Sequence, residues 1–109
     1  MKTNIIIKTT FEAVHCWPDC TIQEVDFLQY PHRHVFHVTM KFPVQHNDRD
    51  IEFIREKRKV EDFLLTHWHR KNVGRMSCED FCSALFRAWP NATYISVFED
   101  NENGAEVYQ

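Results

Sequence analysis

A chain of 109 residues, 43% apolar and 14% aromatic, can bury one hydrophobic core and is short for two. Two glycines and four prolines exclude a low-complexity segment or a flexible linker. A net charge of -3 lacks the basic excess of a nucleic-acid binder.

The apolar run Ile5-Ile6-Ile7 ends at Lys8, too short for a signal peptide or a membrane span. The expectation is a cytoplasmic single domain, 1–109, with reduced thiols and with neither nucleic acid nor membrane as a partner. Residues 4–15 read as a first strand, with Ile5, Ile7, Thr9, Phe11, Ala13 and His15 on one face. Cys16 to Tyr30 reads as a long loop, and loops of about 15 residues in a compact domain are usually functional. A second strand covers His34 to Val44. Phe36, Val38, Met40 and Phe42 continue the face that carries His32 and His34, and Val35, His37, Thr39 and Lys41 make the other. Pro43 marks a weak end or an edge.

After the polar turn 45–50, in which His46 reads as solvated, a first helix is expected from about Glu52 to His69. Its stripe is Phe53, Val60, Phe63, Leu64 and Trp68. The charged run Arg55 to Lys59, interleaved with Glu56, reads as its solvated face. Ser77 caps a second helix and Asp80 completes a capping box. A third strand follows with Ile95, Val97 and Glu99 on one face. Asn103-Gly104 is expected to turn the chain into a fourth strand, Ala105 to Tyr108. The order strand, strand, helix, helix, strand, strand predicts an α+β domain, an antiparallel four-stranded sheet with both helices on one face.

Three features bear on chemistry. His32 and His34, two apart on a strand, aim their imidazoles at one side, and His15 shares the parity of its own strand's apolar face. If the two strands pair, three imidazoles converge and leave a fourth position open, as in catalytic zinc sites. Surface or hydrogen-bonded histidines fit the same spacing. Glu99 stands on an apolar face, where a carboxylate is paired, liganded or at a wet strand end. The cysteines fall as Cys16-x-x-x-Cys20 and Cys78-x-x-x-Cys82. A four-thiolate zinc site would need both pairs, but Cys78 and Cys82 lie on the apolar helical stripe with Phe81 and Leu85 and read as core thiols.

Six short motifs occur in an order similar to that of a known family. They are Phe11-Glu12-Ala13-Val14-His15, His32-Arg33-His34, Ile51-Glu52-Phe53, Ser77-Cys78-Glu79, Val97-Phe98-Glu99 and Gly104-Ala105-Glu106-Val107-Tyr108. Together they resemble the 6-pyruvoyltetrahydropterin synthase and 6-carboxytetrahydropterin synthase family of the tunnelling fold, over nearly the full chain. The resemblance implies Zn2+ held by His15, His32 and His34, a lyase acting on dihydroneopterin triphosphate, and Glu99 gripping the guanidine-like edge of the pterin ring. It also implies service in pterin or 7-deazaguanine synthesis, and a homo-oligomer, the hexamer among its forms, assembled around a barrel with sites at subunit boundaries.

The chain departs from that pattern in its proton-transfer residues. Leu28 occupies the position of the family's general-base cysteine, and Gln29 that of a variant subgroup's glutamate. Trp68-His69 replaces an Asp-His relay, so His69, or its neighbour His67, is a remnant. Arg33 replaces a glycine. Cys16, Cys20, Glu24 and Asp26 in the loop are candidate replacement bases, and Cys20, Glu24 and His69 are the catalytic residues put forward. The same departures suit an alternative, a zinc- and pterin- or purine-binding protein without lyase activity.

Overall fold

The computed structural model describes residues 1–109. In chain order it has β1 (Thr3–His15), a 3-10 segment (Gln23–Gln29), β2 (His32–Val44), α1 (Phe53–His67), α2 (Cys78–Ala88), β3 (Tyr94–Glu99) and β4 (Asn103–Tyr108). The strands form one antiparallel sheet in the order β1-β2-β3-β4. The α+β class and the four-stranded antiparallel sheet are as the alternation predicts. The 3-10 segment is an addition, because the acidic and apolar residues of that stretch follow no regular period.

β1 and β2 pair in a single register from Thr3 opposite Val44 to His15 opposite His32. Period-two alternation puts Ile7, Phe11, Ala13, Phe36, Val38, Met40, Phe42, Ile95 and Val97 into one buried cluster. Both helices cover that face, through Val60, Leu64 and Trp68 from α1 and its end, and through Cys78, Phe81, Cys82 and Leu85 from α2. The two cysteines are core thiols, as their helical spacing predicts. Burial pushes the Cys82 thiol up to about 11. Phe81 sits at the centre, with its ring 4.9 Å from Phe36, 5.2 Å from Phe11 and 4.8 Å from Trp68. The opposite face of the sheet has no helix over it; Lys8, His37, Lys41 and Tyr94 line a groove there. Pro43 lies beyond Lys41, where β2 has lost its β3 neighbour and a missing N–H matters least.

Both helix starts are capped. The Glu52 carboxylate accepts from the N–H groups of Ile54 and Arg55, and Ser77 and Asp80 form a reciprocal box. Helix α1 buries only Val60 and Leu64. Phe53, which the spacing places on the stripe, is 55% exposed because it occupies the first helical position, two turns before Val60. Arg55, Lys57, Arg58 and Lys59 are exposed, as expected of a solvated face.

Two backbone features escape the sequence pattern. The β3–β4 turn is built on Asp100 and Asn101, both left-handed with φ of 52° and 57°, whereas Asn103-Gly104 lies inside β4. Aspartate and asparagine tolerate that conformation. Gly104 is needed in the strand, since a Cβ there would run into the Val97 carbonyl and Phe98. After α1, residues 70–74 run beside the end of β1: Val14 N–H donates to Lys71 O at 3.0 Å, Val73 N–H to Val14 O at 2.8 Å, and Cys16 N–H to Gly74 O at 2.9 Å. No helix is long and apolar enough to cross a membrane.

Replacing Phe81 by Ala removes the ring that joins both helices to the sheet, and is expected to cost about 3–5 kcal/mol. Phe53→Ala is expected to stay within about 0.5 kcal/mol of wild type. Urea unfolding of the two variants checks the contrast.

Candidate metal centre

His15 ends β1 directly opposite His32, which begins β2, and His34 stands opposite Ala13 on the same face. The three rings are 4.6, 5.0 and 5.4 Å apart by centroid. One ring nitrogen from each lies within 4.8 Å of the others. The two strands thus do pair as the metal reading requires, and the three histidines could hold a metal ion.

The other ring nitrogens are engaged. His15 Nδ1 is 2.7 Å from Met76 O, His32 Nδ1 is 2.8 Å from Tyr30 O, and His34 Nδ1 is 2.7 Å from Asp100 Oδ2. These acceptors keep the proton on Nδ1 and turn each Nε2 lone pair toward the common point. The Nε2 of His15 is buried with no hydrogen-bond partner, a costly state for a polar atom. Glu99 adds a carboxylate to the same point, with Oε2 3.1 Å from His34 Nε2 and Oε1 3.6 Å from His15 Nε2. Lone pairs and a carboxylate facing one another repel unless a cation or protons stand between them. Three neutral imidazoles suit a transition-metal ion better than calcium or magnesium, which take oxygen ligands.

The supports come from far along the chain. Met76 belongs to the loop before α2, and Asp100 to the β3–β4 turn. The Asp100 side chain also accepts from Val35 N–H at 3.1 Å, while its own N–H donates to Val35 O at 2.7 Å. The bond from His34 and that from Val35 hold the Asp100 carboxyl below the usual range. Burial holds the His15 pKa below its ordinary value, against the opposing pull of Met76 O and Glu99. Phe36 packs under the cluster, with its ring 5.2 Å from His15 and 5.7 Å from His34.

A cavity of about 550 Å3 opens beside His15 and His32, with Trp17, Leu28, Cys78, Glu79 and Glu99 among its walls. Burial, and Glu99 next to it, push the Cys78 thiol up to about 12. Its Sγ points at Glu99 Oε1, 3.8 Å away. Cys78 is therefore a neutral donor and no base.

Of the residues put forward from sequence, His15, His32, His34 and Glu99 come together. Cys20, Glu24 and His69 do not line this cavity. Cys20 is buried, with Sγ directed at the carbonyls of Ile22 and Val25. Glu24 is exposed on the 3-10 segment. His69 Nδ1 accepts the Glu12 N–H at 3.2 Å, so this histidine ties the end of α1 to β1. His67 packs on Phe63. Among the loop candidates Cys16 lines the cavity; Cys20, Glu24 and Asp26 do not. Sequence reasoning missed Asp100 and Arg75, and quoted Glu79 only within a motif. His37 and His46 stand apart, His37 on the open face and His46 at the surface near Asp50.

A comparison of the chain with models of known protein families and with curated proteins found no match to either.

Two outcomes test the centre. Zn2+ or Co2+ at a hundred times its dissociation constant should stabilise the protein by about 2.7 kcal/mol, with reversal by chelator and loss of the effect in His15→Ala; thermal unfolding reads it. In metal-free protein the depressed His15 pKa means that the unfolded chain takes up this proton first. Its contribution is then flat above about pH 6.5, and stability falls as pH drops below that value. Urea midpoints at about pH 7.5 and about pH 5.5 should show this slope, reduced in His15→Gln.

Proposed function

We propose that this chain is a zinc-dependent lyase of the 6-pyruvoyl- and 6-carboxytetrahydropterin synthase type, acting on 7,8-dihydroneopterin triphosphate or a related pterin. One observation carries the reading. Three Nε2 atoms converge with every Nδ1 already engaged, at the wall of a cavity that also holds carboxylates.

In this reading His15, His32 and His34 hold Zn2+, which supplies Lewis acidity and lowers the pKa of a bound hydroxyl. Glu99 accepts N–H bonds from the guanidine-like edge of the heterocycle, in a charge-assisted pair. Trp17 and Leu28 give the flat ring apolar walls and exclude water from it. Asp100 and the Met76 and Tyr30 carbonyls keep each imidazole in the tautomer that ligation needs. Cys16 is the loop candidate that lines the cavity, so it is the group assigned to move a proton at Sγ.

The tunnelling-fold assembly belongs to the same reading. It is supported by the free edge of β4, by the uncovered face of the sheet, and by exposed Ile6, Phe53, Ile54, Leu65 and Tyr108.

A second reading has its own observation. Leu28, in the wall of the cavity, cannot take a proton, and none of Cys20, Glu24 and His69 reaches the cavity. The protein would then bind a pterin or purine-like ligand on its metal without turning it over.

Mass spectrometry after incubating zinc-loaded protein with dihydroneopterin triphosphate separates the two. The lyase reading expects a new pterin product, lost by at least about a hundredfold in His32→Ala with its circular dichroism unchanged. Recovery of intact substrate alongside tight calorimetric binding selects the second reading.

A further inference from the structure

Strand β3 brings a fourth donor to the imidazole cluster. Pairing of Glu99 with Phe36 puts its side chain on the face that carries His34, one diagonal step across the sheet. Its Oε2 is 3.1 Å from His34 Nε2 and its Oε1 is 3.6 Å from His15 Nε2. In a tetrahedral shell with metal–ligand distances of about 2.0–2.1 Å, neighbouring donor atoms lie about 3.3–3.4 Å apart. The two contacts of Glu99 straddle that value. Hydrogen bonding between neutral groups does not account for them. With the Asp100 carboxylate and the Met76 carbonyl holding the protons of His34 and His15 on Nδ1, neither Nε2 has a hydrogen to give to a carboxylate. Glu99 also repeats the arrangement of the histidines, each of which turns one nitrogen to the common point and has the other engaged. The Cys78 thiol is directed at Oε1 from 3.8 Å, which leaves Oε2 for an ion. The buried and unpartnered Nε2 of His15 is the neighbour that such an ion would satisfy.

We infer that Glu99 is itself a metal ligand in the substrate-free protein, closing through Oε2 a shell of three histidines and one carboxylate. Imidazole nitrogen and carboxylate oxygen are both donors that Zn2+ takes in tetrahedral geometry. The position that the three histidines leave open is then filled from within the chain. The inference goes beyond the pterin reading and does not rest on it. The two are compatible, because a ring whose N–H edge takes the Glu99 carboxylate draws it off the ion and frees the fourth position.

The test uses the full chain with Zn2+ or Co2+ alone and no pterin. Competition against a chelating dye gives the zinc dissociation constant. Glu99→Ala should raise it at least about tenfold with circular dichroism unchanged, whereas Glu79→Gln, which removes an exposed carboxylate from the same cavity, should change it by less than about twofold. The visible spectrum of the Co2+ protein reads the fourth position directly. Azide should shift the spectrum of Glu99→Ala, and at the same concentration should leave that of wild type unchanged. A wild-type spectrum that responds to azide as the variant does, or a zinc affinity that Glu99→Ala leaves unaltered, overturns the inference. If Glu99→Ala does not fold, the wild-type titration decides alone, since any azide-induced shift means an open position. None of these outcomes touches the pterin reading, which stands or falls on the product assay above.

Discussion

The register of the β1–β2 hairpin is the constraint on which everything else depends. With His15 opposite His32 and His34 opposite Ala13, three imidazoles share one face at one end of the sheet. A slip of a single residue in either strand would send its histidines to the other face. The slip is opposed by the whole length of the hairpin, because the same register buries Ile7, Phe11, Phe36, Val38, Met40 and Phe42. The hydrophobic core and the candidate centre are thus specified by one pairing, and the aromatic cluster around Phe81 stabilises both.

The centre itself opposes folding. It gathers lone pairs, a carboxylate and an unpaired buried nitrogen, and burial holds the His15 pKa below its ordinary value. The hairpin turn adds two left-handed residues, Asp100 and Asn101. That conformation places the Asp100 carboxylate on His34 while its backbone pairs with Val35. Electrostatic repulsion concentrated at one end of an otherwise regular sheet marks that end as the candidate site.

His69, Trp68 and Cys78 each have a definite structural contact. His69 accepts a backbone N–H from β1. Trp68 is buried between Phe11, Phe63 and Phe81. Cys78 faces Glu99 as a neutral thiol whose S–H is donated toward that carboxylate. The contacts of His69 and Trp68 are with backbone and core, so a change at either would register first in stability. In the loop between β1 and β2, Cys16 follows His15 directly in sequence and lines the cavity.

The amino-acid sequence by itself determined the strands and their faces, the helix caps at Ser77 and Asp80, the core cysteines, and the side on which His15, His32, His34 and Glu99 stand. Each of these is written in a local period of two or of about 3.6 residues. Only the tertiary structure decided that Asp100 would meet His34 across 66 positions and that Met76 O would hold His15 across 61. The same holds for the turn, which lies on Asp100-Asn101 while Gly104 sits inside the strand against the Val97 carbonyl. It also removed Cys20, Glu24 and His69 from the cavity. Such pairings carry no local signature, because they are chosen by how the helices settle on the sheet and which loop is left to reach the histidines.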